Sequence, residues 1–220
     1  MQAIAQGTAP LSAEEQSPLL SLSLESFGFG SAPILGALSF DIAAGESVAL
    51  RGESGIGKTT LLRLVAGLEV APKSRLIVNG RMGMVFQEPH LLRWRSVLRN
   101  ITLTTGVDDR RALTLLDQVG LIGKEALFPD QLSLGQQRRL AIARAFAVEP
   151  DLLLLDEPFV SLDAELADQM MGLLESLRAI YRPALLLVTH DDAEAERLTE
   201  RAITLGGHPA SIISDVKRAG

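Results

Sequence analysis

A chain of 220 residues, 47% hydrophobic and 22% charged, is long enough for one domain with a real core, or for one domain carrying an inserted lobe. Its 27 acidic residues against 21 basic ones give a formal charge of -6 and a pI near 5.2, which argues against a nucleic-acid surface. The absence of cysteine excludes disulfide staples and thiolate metal sites.

The first 18 residues, MQAIAQGTAPLSAEEQSP, lack both a basic start and an apolar stretch. They read as a flexible tail and not as a signal peptide, which leaves 19–220 as a single domain. LLSLSLESF (19–27) alternates apolar and polar residues, the mark of a half-buried strand, and ILGALSFDI (34–42) reads as another. ESVALRG (46–52) is a short apolar strand running into a glycine-rich turn. KTTLLRLVAGL then sets Leu61, Leu62, Leu64 and Val65 on a helix that stops at Gly67. RLIVNG is a strand ending in an Asn-Gly turn.

From Glu88 to about Ala147 the pattern turns helical, as in a lobe inserted into the sheet. DDRRALTLLDQVG offers Leu113, Leu116 and Val119 as its apolar side. GQQRRLAIARAFAVEP carries Leu140, Ala141, Ala145 and Phe146 toward a core, and Pro150 closes it. There follow DLLLLDEP, a helix from about 163 to 180, ALLLVTHD, the acidic helix DAEAERLTE and a hairpin around GGHP. Apolar strands alternating with helices predict an α/β fold with a mostly parallel sheet covered on both faces. The longest apolar runs are strand-sized, too short to span a bilayer.

Gly52 to Thr59, GESGIGKT, fits the phosphate-loop pattern G-x-x-x-x-G-K-[ST] and sits between a predicted strand and a predicted helix. Gly52, Glu53, Ser54, Gly55, Ile56, Gly57 and Thr60 supply backbone N–H groups around a phosphate, Lys58 supplies charge, and Thr59 offers a hydroxyl to Mg²⁺. LLLLDEP delivers Asp156 to the same end of the sheet, suited to a Mg²⁺-bound water. Glu157 beside it is placed to polarise an attacking water.

These motifs together resemble the nucleotide-binding subunit of ABC (ATP-binding cassette) transporters over about residues 19 to 215. LSLGQQ (132–137) resembles the family signature, SLD (161–163) the D-loop, Gln87 in MVFQEP the Q-loop and His190 in LLVTHD the switch histidine. The resemblance implies a P-loop NTPase core with an N-terminal antiparallel β subdomain, ATP and Mg²⁺ as ligands, and ATP hydrolysis that powers transport. It implies that two copies pack head to tail, so that Ser133, Gly135 and Gln136 of one close over the γ-phosphate held by the other, with Asp163 at the interface or simply capping its helix. It implies that Gln87 reaches Mg²⁺ and that Phe29, in competition with Phe27, stacks on adenine.

EPHLLRWRSVLRNI (88–101) is similar to importer ATPases for nitrate, sulfonate and taurine. Leu91, Leu92 and Trp94 are there expected either to pack inside the lobe or to accept a helix of a membrane permease at the cytoplasmic face, which a solute-binding protein serves. An exporter ATPase and a soluble ATP-gated clamp remain alternatives. Two departures stand out. Leu134 replaces the usual signature glycine, so its side chain is expected to crowd the phosphate or to change how the turn approaches. The stretch between Gly67 and Gln87 is short, which suggests a trimmed edge hairpin.

Overall fold

In the computed structural model, residues 17–30 and 32–218 are described; apart from Ser17 and Pro18, the expected N-terminal tail lies outside the described residues. The chain begins with β1 (Leu20–Leu24), β2 (Phe27–Phe29), β3 (Ala32–Leu35), β4 (Leu38–Ile42) and β5 (Ser47–Arg51), then α1 (Lys58–Val65), β6 (Ser74–Val78) and β7 (Met82–Val85). A helical stretch follows: α2 (Val97–Thr105), α3 (Asp109–Gln118), a 3-10 turn (Pro129–Gln131) and α4 (Leu134–Ala147). It closes with β8 (Leu152–Asp156), α5 (Ala164–Tyr181), β9 (Ala184–Val188), α6 (Asp192–Leu198), β10 (Arg201–Gly206) and β11 (Ser211–Lys217).

The main sheet runs β11-β10-β5-β9-β8-β7, parallel throughout except for the β10–β11 hairpin. The four leucines of β8 divide by strand periodicity: Leu152 and Leu154 join the core under α1, Leu153 and Leu155 the core under α4 and α5. Ala184, Leu186 and Val188 of β9 likewise face the first core, and Leu185 and Leu187 the second. The wholly apolar strands are thus two-sided, as parallel strands between helical layers must be. Helices α2–α4 do not close a separate core; Val97, Ile101, Leu115, Leu116 and Phe146 share theirs with the sheet. Leu115 and Leu116 carry the buried side of α3, whereas Leu113, expected there, is exposed. The 3.6-residue period places position 112 beside 115, 116 and 119, which turns 113 outward.

Two expectations about strands are corrected. Residues 34–42 form two strands, because Gly36 turns the chain: its N–H donates to the Ala210 carbonyl at 2.7 Å, and β3 pairs with β2 while β4 pairs with β1. The short 67–87 stretch holds no edge hairpin. Strand β6 pairs antiparallel with β1 in the small sheet β4-β1-β6, and Asn79–Arg81 then passes straight into β7 of the large sheet.

Candidate functional site

Strand β5 ends at Arg51, and Gly52 takes φ 143°, where a Cβ would stand 2.7 Å from the Leu205 carbonyl oxygen. Only glycine fits that backbone. The loop wraps Lys58, which is 5% exposed and whose Nζ donates to the carbonyls of Gly52 and Glu53 at 2.9 Å each. Ile34 and Leu35 of β3 close against Gly57, pinning the β2–β3 hairpin to the loop. Phe29 at the hairpin tip is 57% exposed and meets Phe27 edge-on, with ring centroids 5.4 Å apart, while Phe27 is buried in the core. Of the two rings, Phe29 is the one with an exposed face.

Strands β5, β9 and β8 are adjacent and parallel, so their C-terminal ends bring the loop, His190 and the two carboxylates together. The Thr59 hydroxyl donates to Asp156 Oδ1 at 2.9 Å. Burial pushes the Asp156 carboxyl above the usual carboxylate range; the Thr59 bond opposes this, and Glu157 adds to it. Glu157 sits in the left-handed region at φ 46°, its N–H donating to the Val188 carbonyl at 3.0 Å. This kink, uncommon for a non-glycine residue, turns its carboxylate toward His190, Oε2 to Nδ1 being 3.5 Å.

Beyond β7, the segment from Gln87 to Leu92 lies along α4. The Arg138 guanidinium donates to the Gln87 carbonyl, and Arg144 donates to the Pro89 and His90 carbonyls at 2.8 Å each. Burial draws both guanidinium groups below the usual arginine value, with Glu88 opposing at Arg138. The residue Gln87 is itself exposed. Asn100, fully buried in α2, accepts the Leu92 N–H at 2.7 Å and donates to the carbonyls of Leu92, Arg95 and Ser96. It fixes the loop on which Leu91 and Leu92 are half-buried and Trp94 is 69% exposed. A groove of about 780 Å³ runs from Gln87 and Leu91 past Leu134 and Arg138 to Val160 and Ser161.

Ser133 caps α4 in a capping box: its hydroxyl accepts the Gln136 N–H, and Gln136 Oε1 accepts the Ser133 N–H. Leu134 is the first helical residue, with ordinary helical backbone, and is half exposed. The backbone at position 134 therefore does not need glycine. Gly135 leaves room for Leu166 of α5, whose side-chain end would lie 3.0 Å from a Cβ there. Asp163 caps α5 through the Leu166 N–H at 2.8 Å. Among the described residues, no hydrogen bond joins the Ser133–Gln136 turn to the Gly52–Thr60 loop; its side-chain bonds are local.

Thr59 and Asp156 offer hard oxygen donors, the ligand chemistry of Mg²⁺. Among the described residues there is no cluster of three or more His, Asp or Glu able to hold a metal ion alone. The fit is to an ion that arrives with further oxygens, such as those of a phosphate chain. Sequence reasoning missed Asn100, Arg138, Arg144 and Glu194, a half-buried carboxyl accepting the Thr189 hydroxyl at 2.6 Å. Asn100 alone left a signal, as a polar residue in the apolar stripe VLRNI.

Residues 35–160 match the sequence pattern of the ABC transporter family. The chain is 47% identical over 194 residues, 86% of its length and 81% of the relative's, to the aliphatic sulfonates import ATP-binding protein SsuB of Granulibacter bethesdensis. It is 45% identical over 196 residues, 86% and 79% of the two chains, to SsuB 2 of Mesorhizobium japonicum. Against SsuB 1 of Pseudomonas fluorescens the figures are 48% over 179 residues, 80% and 69%. Among solved structures it is similar to the ATP-binding cassette MJ0796, a dimer in a post-hydrolysis state bound to ADP and Pi, with a TM-score of 0.78, 27% identity and coverage of 91% of this chain and 99% of that one.

Proposed function

The chain belongs to the ABC transporter family, as an ATP-binding subunit that hydrolyses ATP to power transport, and on that premise we propose that it drives import of a small organic sulfonate as a head-to-tail dimer. The cargo class follows the names of its relatives. The loop N–H groups and Lys58 bind the phosphates, with adenine against Phe29. Thr59, Asp156 and the Gln87 amide hold Mg²⁺, which when bound neutralises charge on the phosphate chain. Glu157 takes a hydrogen bond from the attacking water and orients it; His190, 3.5 Å from that carboxylate, faces the γ-phosphate. Ser133, Gly135 and Gln136, with the N-terminus of α4, complete the partner copy's site, and Asp163 lies at the same interface. Hydrolysis removes the charge that bridges the two copies, and the pair opens.

Residues Leu91, Leu92 and Trp94 and the adjoining groove receive a cytoplasmic helix of a membrane permease fed by a solute-binding protein. Among the described residues no helix is long and apolar enough to cross a membrane; in this reading the permease contact holds the chain at the cytoplasmic face. Residues 19–220 act as one catalytic domain.

The observation that carries this proposal is a division. Lys58, Thr59, Asp156, Glu157 and His190 converge at one sheet end, while the side-chain hydrogen bonds of the Ser133 turn among the described residues stay within the turn. Complementation tests it. Lys58→Ala and Ser133→Arg, each inactive alone, should regain activity when mixed, because a mixed dimer contains one intact composite site. A mixture no more active than its components would refute the shared site.

A further inference from the structure

The geometry points to Glu194 as a positioning residue for hydrolysis: it locks the Thr189 hydroxyl and thereby fixes the backbone from which His190 reaches Glu157. This rests on the proposed pairing of Glu157 with His190 and deepens it. The ring of His190 has little packing to hold it. Its side chain is 61% exposed, its ion-pair contact is with Glu157 Oε2 at 3.5 Å, and the Glu194 carboxyl lies near enough to act on it electrostatically. Such a side chain is aimed by its backbone, and here the backbone is tied on both sides.

Thr189, 2% exposed at the end of β9, uses its hydroxyl twice. The oxygen accepts the Asp191 N–H at 3.0 Å, which closes a tight turn around His190, and the proton goes to Glu194 Oε2 at 2.6 Å. Without that acceptor the hydroxyl is free to rotate and the turn loses its fixed partner. Glu194 is itself placed by the first turn of α6. Asp191 Oδ1 accepts the N–H groups of Ala193 and Glu194 at 2.7 and 3.3 Å, and Asp192 pairs with Arg51, the last residue before the phosphate loop. One helical turn therefore braces the end of β9 against the end of β5. The Glu194 carboxyl is half-buried and has no arginine or lysine partner among the described residues, so the threonine bond is its principal polar contact. Burial holds it above the ordinary carboxylate range. A carboxyl kept in so unfavourable a place, next to the proposed water-orienting group, is better explained by geometry it enforces than by stability it supplies.

The test is steady-state ATP hydrolysis by the full chain carrying Glu194→Ala, Glu194→Gln or Thr189→Val, with Glu157→Gln alongside. Glu194→Ala and Thr189→Val should each lower kcat about tenfold, the worth of one well-placed hydrogen bond, with KM for ATP unchanged. Glu194→Gln retains an acceptor oxygen and should return kcat to within about twofold of the parent. A melting temperature near the parent's accompanies the expected result. Should Glu194→Ala fail to fold, Thr189→Val poses the same question from the donor side. The inference is overturned by a parental kcat in Glu194→Ala or Thr189→Val, by a Gln variant no better than the Ala variant, or by kcat and KM worsening together. If Glu157→Gln instead hydrolyses ATP at the parental rate, it is the pairing of Glu157 with His190 that fails.

Discussion

Replacing Asn100 by alanine should unfasten the loop that carries Leu91, Leu92 and Trp94 while leaving the phosphate site standing. The side chain is fully buried, with one acceptor bond from Leu92 N–H at 2.7 Å and two amide hydrogens shared among the carbonyls of Leu92, Arg95 and Ser96 at 2.9–3.1 Å. Counting three independent bonds at about 1 kcal/mol each gives a loss of about 3 kcal/mol. Leu92 is only half-buried, so water can reach part of what is stranded, and the outcome should fall at about 2–3 kcal/mol. Urea unfolding measures the total, and hydrogen exchange at the Leu92 amide reports where it is lost: protection there should drop about tenfold or more. ATP affinity should hold, because no Asn100 contact reaches residues 52–60, whereas stimulation of hydrolysis by the assembled permease should fall. A loss below about 1 kcal/mol with Leu92 still protected would refute the reasoning.

Glu157→Gln should bind ATP, trap the dimer on size-exclusion chromatography and lose about 10²–10⁴-fold in turnover; rapid steady hydrolysis would remove Glu157 from its role. Asp156→Asn keeps an acceptor for Thr59 but removes a buried charge. Because burial raises the folded-state pKa, the native state favours protonated Asp156, a contribution present below the unfolded carboxylate range and lost as pH rises through the folded value. The ligand-free Asn variant should therefore melt higher than the parent at pH 7, the gap closing as pH falls toward about 4; a lower melting point at pH 7 would contradict this. Gly52→Ala must drive a Cβ to 2.7 Å from a backbone oxygen at a strained φ, whereas Gly135→Ala meets only the movable end of Leu166. The first should cost about 2–3 kcal/mol and the second about 1 kcal/mol in urea unfolding; equal costs would show that the two glycines serve alike.

Much of the fold was legible because its signals are local. The phosphate loop is a strand, a set of glycines and a helix start within a dozen residues, and LLLLDEP and ALLLVTHD announce buried parallel strands by composition alone. What stayed hidden depends on contacts distant in sequence. Arg138 and Arg144 went unremarked in the helix GQQRRLAIARAF, yet they bind carbonyls 51 to 55 residues upstream. A backbone carbonyl carries no residue type, so no pattern in the sequence marks it as a partner. The break at Gly36 was likewise invisible, since the carbonyl that accepts the Gly36 N–H belongs to Ala210.

Leu134 shows how a local rule misleads when the backbone is unknown. Glycine in a turn suggests a conformation closed to other residues, and a leucine in its place then looks like a fault. Here Ser133 supplies the cap and position 134 is already helical, so leucine costs no backbone strain. What changes is volume. The half-exposed side chain lines the same groove as Gln87 and Leu91, on the helix whose arginines hold that segment. Leu134→Gly should accordingly leave the capping box intact and lower stability by about 1 kcal/mol, the propensity cost of glycine in a first helical turn. If the variant instead gains stability, the leucine is straining the turn after all.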